Sequence, residues 1–384
     1  MSAAAGSVKL RSRLAARLDG EIAAAASTPA RANVLRAQRA ILWLRHGREA
    51  DAREALDELH ARVLTHPRPE LAAWLHLAQG LMAYFGSFSG FGGGGARDRV
   101  RRARVMAAAA GLRPLQAHAD AWLAQMDFVG RDIDGLITHA QAALAALSPT
   151  DHGAAYRVAT ALASAWSLAR GEAAASPWYA WARQHAIAEG DDAGMAALLY
   201  NQTLMRALRI RHAALAGEPG EAPAALLGIE SIGHYDDAVG GSARGDLTPL
   251  LRAQLLTVQG DFAEAAALLE AQLPAAMAAG LARLGCSLLA DLAWCWVNTG
   301  DVVRARALAD QAAIEVQAED QPSCDVDERA ALHARLAQVY ARLQEPGLAA
   351  RQAEAAASSW AQDAEQRQLW AGRLTAAGLG HPPR

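Results

Sequence analysis

His234-Tyr235-Asp236-Asp237 is the densest cluster in this chain able to move protons. A histidine beside carboxylates can serve as a general base with an orienting partner. The cluster lies in a stretch, 216–246, that carries nine glycines and prolines, where solvation of a loop accounts for an acidic pair equally well. Asp191-Asp192 is a second such pair, placed where helix capping explains it. The remaining histidines are scattered: none forms HExxH, and no two stand four apart on one helix, so no metal site is expected. No serine sits in a GxSxG elbow.

Gly90-x-Gly92-x-x-Gly95 spells the dinucleotide fingerprint. That motif works only between a strand and a helix, and the preceding residues, Trp74 to Tyr84, read as helix. No cofactor is therefore expected. The same glycines lead into Arg97-Asp98-Arg99-Val100-Arg101-Arg102-Ala103-Arg104, a helix start. Free backbone N–H groups with Arg97 and Arg101 beside them can hold a phosphate or carboxylate, or the arginines can form a solvated basic face.

Arginine outnumbers lysine 36 to one, and Lys9 is the exception. A Schiff-base lysine or a P-loop lysine elsewhere in the chain is thereby excluded. Cys286, Cys295 and Cys324 have neither CxxC nor disulfide-framework spacing, and read as reduced thiols of a cytoplasmic protein. Arg11, Arg13 and Arg17 interrupt any signal-peptide core, and no apolar run is long enough to span a membrane. Net charge is −3, which does not suit a nucleic-acid binder. Residues 1–113 nevertheless carry 18 basic against 9 acidic residues, and the remainder 19 against 31. Such a dipole can steer charged partners or merely decorate a solvated surface.

The elements that would position these groups are helices. Hydrophobic residues make up 52% of the chain, and alanine, the best helix former, supplies much of that. Turns recur at Gly47-Arg48-Glu49, Gly130-Arg131-Asp132, Gly171-Glu172-Ala173, Gly260-Asp261-Phe262 and Gly300-Asp301-Val302. Their spacings of 83, 41, 89 and 40 residues are multiples of about 41. A fixed period of this length marks a solenoid. Residues 7–26 predict a leading amphipathic helix with Leu10, Leu14 and Leu18 on one stripe. Eight helix pairs follow, with first helices starting near 30, 70, 113, 151, 192, 246, 281 and 326. Prolines are expected at junctions, with Ser176-Pro177 opening a helix; Pro274 alone falls inside one, which it should kink or end. The Gly-rich segment 86–95 and the insert 216–246 break the period, the second weakening a helix.

Ala293, Trp296, Gly300 and Ala305 repeat the spacing of Ala253, Leu256, Gly260 and Ala265, and of Ala40, Trp43, Gly47 and Ala52. In this pattern of small residue, bulky residue, turn glycine and alanine, the chain resembles the tetratricopeptide repeat (TPR) family across roughly 30–377. The period exceeds that family's usual 34 residues and is similar to the helical arrays of large bacterial transcription activators and signalling proteins. HEAT arrays share the period, but the Gly-Asp turns fit TPR better. The resemblance implies an all-α, right-handed superhelical array of about eight antiparallel helix pairs. Residues 1–27 would lead it, 28–363 form it, and 364–384 cap it, with Trp370 covering the apolar end of the last repeat.

In TPR-like folds the first helices line the inner surface. The resemblance therefore singles out Trp74, His76 and Gln79, then Asn201, Gln202 and Arg206, then Asp291, Trp294 and Asn298. It implies a non-catalytic scaffold that binds a protein or peptide segment, though not through the two-lysine carboxylate clamp of some TPR adaptors. A sensory or regulatory module taking a small effector is the second reading, and an enzyme built on 216–246 the third. No nucleic-acid or membrane partner is expected.

Overall fold

The structure, a computed structural model, describes residues 12–86, 95–218, 222–239, 247–278, 282–316 and 325–383. The turns explain its regularity. Gly260 and Gly300 both take φ of 97°, which ends the preceding helix in the left-handed region where a glycine costs least. The next residue folds back: Asp261 N–H donates to the Leu256 carbonyl at 3.1 Å, and Asp301 N–H to that of Trp296 at 2.9 Å. The aspartate then starts the next helix, Asp301 Oδ1 accepting from Arg304 N–H at 3.0 Å. Gly-Asp thus stops one helix and caps another within two residues. The alanines before and after each turn, Ala40, Ala52, Ala253, Ala265, Ala293 and Ala305, are fully buried. They let the paired helices approach, as the spacing predicts.

Seventeen α-helices form among the described residues. α1 (Arg13–Ala24) leads. The pairs are α2 (Pro29–Arg45) with α3 (Glu49–Thr65), α4 (Pro69–Gly86) with α5 (Gly95–Ala109), α6 (Arg113–Val129) with α7 (Ile133–Ala146), and α8 (His152–Arg170) with α9 (Glu172–Glu189). They continue with α10 (Asp192–Leu215) and α11 (Ala222–Val239), α12 (Thr248–Gln259) and α13 (Phe262–Ala278), α14 (Ala282–Thr299) and α15 (Val302–Glu315), and α16 (Val326–Arg342) with α17 (Pro346–Ala376). First helices stack on first helices from α2 to α16. The fold is an all-α superhelical array of eight pairs.

Two local expectations need correction, the opening of α9 and the insert, and two further positions gain detail. α9 begins directly after Gly171, whose φ of 84° lets α8 and α9 meet with one residue between them. Pro177 therefore lies in the second turn of α9 instead of opening it. Pro274 does not end α13, which continues to Ala278. At Gly130 φ is −78°, and the left-handed residue is Arg131 at 59°. In the insert, residues 222–239 form a full helix.

The array also winds tightly enough to touch itself. Leu14 N–H donates to the Gly190 carbonyl at 3.0 Å, and Arg45 pairs with Asp191 at 2.7 Å, so the first pair meets the fifth. Arg131, left-handed in backbone although not a glycine, reaches Asp325 and Asp327 at 3.1 Å. The last helix is continuous through 31 residues, with no break at 364. Its C-terminal part lies on α7 and α8. Trp370 packs edge-on to Phe128, within the same core as Trp166 and Trp178. It packs into the middle of the array, whereas the sequence reading places it over the end of the last repeat.

Candidate functional site

Polar side chains of the first helices gather in three regions. The first lies where α2, α4, α6, α8 and α10 converge. Asp191 caps α10, its Oδ1 accepting from Gly194 N–H at 2.9 Å, while Oδ2 takes Arg45 Nη2. The Arg45 guanidinium lies 5.5 Å from the Tyr156 ring centre. Arg157 lies 5.0 Å from the same centre and stacks on Trp122 at 3.9 Å. Trp122 is walled by Tyr84 and Phe85. Arg157 is 7% exposed, and no carboxylate among the described residues pairs with it. Burial pulls its guanidinium down from the usual range, and nearby Arg45 acts the same way.

His118 completes this region, tilted against Trp74 and packed on Gly153. Burial lowers its pKa to about 4, with Arg45 and Arg157 acting in the same direction. The folded protein therefore holds His118 neutral where the unfolded chain is protonated. Stability from this group is complete above about pH 6.5 and is lost as pH falls towards 4, at up to roughly 1.4 kcal/mol per pH unit. A His118→Gln variant is expected to flatten the slope of urea stability against pH in that window.

The second region is the middle of α10. From Leu199 to Arg206 every residue is half-buried, neither sealed in a core nor fully solvated. A helix packed on one side alternates between buried and exposed positions. This stretch instead stays partly accessible at every position, with Leu204 packed on the α11–α12 core. Asn201, Gln202 and Arg206 lie within it. The third region joins α10, α14 and α16. Arg211, fully buried, donates to Asp291 at 2.9 Å, Glu328 at 3.2 Å and Ser287 at 2.5 Å. Arg335 holds the other oxygen of Asp291 at 2.8 Å. Trp294 lies under Arg335 and Arg342, with Asn298 donating to the Trp294 carbonyl and accepting from Arg342 at 3.1 Å.

The residues singled out from sequence thus separate. Asn201, Gln202 and Arg206 share one half-buried surface; Trp294 and Asn298 share another, two first helices away. Trp74 is buried in the core of the early pairs, and Asp291 is fully buried inside the Arg211 network. Both are internal. His76 and Gln79 are half-buried on α4, and burial together with Arg102 and Arg99 lowers the His76 pKa. Arg97 pairs with Asp127 and Asp132 of the neighbouring pair, whereas Arg101 is exposed and, among the described residues, reaches Asp98 at 3.6 Å. The fingerprint glycines from 90 to 94 lie outside the described residues. His234 is exposed on α11.

One acid–base pair has hydrolase-like spacing: His139 Nδ1 lies 2.6 Å from Asp127 Oδ2. Arg97 occupies the same aspartate, and no hydroxyl or thiol among the described residues hydrogen-bonds His139, so the nucleophile of such a site is missing there. Cys286 and Cys295 are buried, and burial raises their thiols to about 11 and about 12. Such thiols are inert at neutral pH. Among the described residues no three His, Cys, Asp or Glu side chains converge to hold a metal, and no helix is long and apolar enough to cross a membrane.

Sequence reading passed over Arg45, Arg157, Arg211 and Arg335. The signal was present. Arg157 stands alone in Ala154–Ser167, a run with no other charge, and an isolated arginine in an apolar helix is expensive to bury without purpose.

In fold the chain is similar to the solved structure of a Rap protein complexed with competence and sporulation factor. The TM-score is 0.55 at 10% identity, over 90% of this chain and 99% of that one. At that identity the likeness concerns the fold. No protein-family model matches the chain, and no curated protein matches it.

Proposed function

We propose that this protein is a non-catalytic binding module of the bacterial cytoplasm that seats a protein or peptide segment along the first-helix surface. The half-buried stretch 199–206 of α10 carries the reading. Asn201 and Gln202 offer amide donors and acceptors beside Leu199, Tyr200, Leu204 and Met205, which offer apolar area. Such a mixture suits an extended segment whose backbone needs hydrogen bonds and whose side chains need pockets. Trp294 and Asn298 extend the surface towards the last pair. The similarity in fold to a Rap protein solved with a bound factor supports the choice of this class.

A sensory role with a small effector is the second reading, favoured by the buried Arg157 and its aromatic walls. Neither reading uses His234 or Asp236 as an active site.

Peptides selected on the immobilised protein from a random display library test the main reading. The double variant Asn201→Ala/Gln202→Ala is expected to bind them at least tenfold more weakly, with its circular dichroism and melting unchanged. Selected peptides that bind this variant as they bind the parent protein would move the site elsewhere.

A further inference from the structure

Arg157 poses a physical problem that the groove reading leaves untouched. It is more than nine-tenths buried, it stacks on Trp122 beside Tyr156, and the carboxylate that acts on it, Asp191, is already paired with Arg45. Ring faces return only part of the hydration that a buried guanidinium loses. Each other arginine buried as deeply has a carboxylate: Arg211 holds Asp291 and Glu328, and Arg335 holds Asp291.

The charges around it specify what is missing. Arg45 and Asp191 act on Arg157 and offset each other through their own ion pair. His118 is neutral. Asp151 acts on His118 from the start of α8, where Ser148 N–H and Oγ–H both bond it at 2.8 Å. Arg157 is left as the guanidinium of this cluster that no carboxylate among the described residues pairs with. The guanidinium fork matches a planar carboxylate in bidentate fashion, and the aromatic surroundings suit an organic anion better than the strongly hydrated tetrahedral phosphate. Trp122, Tyr84, Phe85 and Tyr156 are suited to the organic body behind the carboxylate.

We infer that Arg157, braced on Trp122, anchors a binding site for the carboxylate of an organic ligand at the junction of α2, α6, α8 and α10. The site lies about two helical turns before the half-buried stretch of α10 and stands independently of peptide binding there. The carboxylate belongs either to a small organic acid or to a peptide C-terminus. Both sources share the chemistry and differ in whether the α10 surface is also engaged.

Melting of the full chain is the test, in sodium phenylacetate, in equimolar sodium chloride with phenylacetamide, and in sodium phosphate of matched ionic strength. Phenylacetate alone is expected to raise the melting temperature of the parent protein. In plain buffer, Arg157→Met is expected to melt higher than the parent by about 2 °C or more, because methionine packs on Trp122 without a buried charge, and phenylacetate is expected to add nothing further. Equal phenylacetate shifts in both proteins, or an Arg157→Met that melts below the parent, would overturn the site. Stabilisation by phosphate but not by phenylacetate would overturn the carboxylate assignment. The Asn201→Ala/Gln202→Ala variant is expected to keep the phenylacetate shift, which separates failure of this site from failure of the peptide surface. A C-terminally free peptide that loses affinity in both variants, and more on amidation, identifies a chain terminus as the source.

Discussion

Arg211→Met is expected to destabilise the protein by roughly 3–5 kcal/mol at pH 7, the range for removing one partner from a buried ion network. The physical reason lies in what is left behind. The arginine donates to Asp291, Glu328 and Ser287 together, and Ser287 in turn donates to Glu328 at 3.0 Å. Without it two buried carboxylates face one guanidinium, that of Arg335. Asp291 keeps that partner; Glu328 keeps only a hydroxyl. Burial already holds the Glu328 carboxyl above its ordinary range even with Arg211 present. In the variant it should rise further and take a proton, so the loss should shrink as the pH is lowered from 7 towards 5. The sign follows from linkage, since a native state that binds more protons than the unfolded chain gains stability on acidification. Urea midpoints of both proteins at several pH values measure this. A second variant, Arg211→Met/Glu328→Leu, should recover much of the loss, because an apolar pair can replace a buried ion pair at little net cost. A constant penalty across pH, or no recovery in the double variant, would place the cost in packing.

That network also ties together pairs that are distant in sequence. A linear solenoid holds each repeat only by its neighbours and loses cooperativity as it lengthens. Here Arg211 joins the fifth pair to the seventh and eighth, and Arg131 joins the third to the eighth through Asp327. Burial pushes the Asp327 carboxyl up, but Arg131 and His212 outweigh it and hold it below its ordinary range. These contacts are 80 to 196 residues apart in sequence.

Local chemistry made the pairs legible. A glycine that must turn left-handed, an aspartate that caps, and alanines spaced to let helices close are all read within a dozen residues. Gly300, Asp301, Ala293 and Ala305 behave as their types require. The closure was not legible in the same way. Nothing local to Arg131 announces Asp327, and nothing in Trp166 announces a carbonyl more than two hundred residues on. The site divides along the same line. Asn201 and Gln202 stood out as polar residues in an apolar helix and do occupy a half-buried surface. Asp291 stood out for the same reason, yet its polarity answers Arg211 and Arg335, which reach it from other helices. A polar residue in an apolar helix signals an interior partner as readily as a ligand, and only the fold separates the two.

Ending the chain at Ala376 is expected to cost roughly 4–8 kcal/mol, although it removes no helix. The chain turns at Gly378, whose φ is 73°, and Leu379 N–H folds back onto the Leu374 carbonyl at 3.0 Å. That turn carries the Leu379 carbonyl into the core between α8 and α9, where it accepts from Trp166 Nε1 at 2.8 Å and Trp178 Nε1 at 3.1 Å. Both indoles are buried, and the Leu379 side chain is buried beside them. Truncation leaves two indole N–H groups without an acceptor, at about 1–3 kcal/mol each. It also exposes apolar surface that Leu379 covers, worth roughly 2 kcal/mol. Leu379→Ala separates the two contributions: it keeps the carbonyl and should cost only about 2 kcal/mol. Because truncation removes the Ala377 carbonyl that accepts from Gln141 at 3.0 Å and leaves only the exposed Arg373–Asp134 pair, the truncated end should also lift from α7. Limited proteolysis would then cut α17 between Asp363 and Ala376 in the truncated protein and spare it in the parent. Equal urea midpoints for the truncated and parent chains would show that the indole bonds are dispensable and that Trp370 alone holds the last helix down. A truncated chain that loses stability no more than Leu379→Ala would assign the contact to side-chain burial instead.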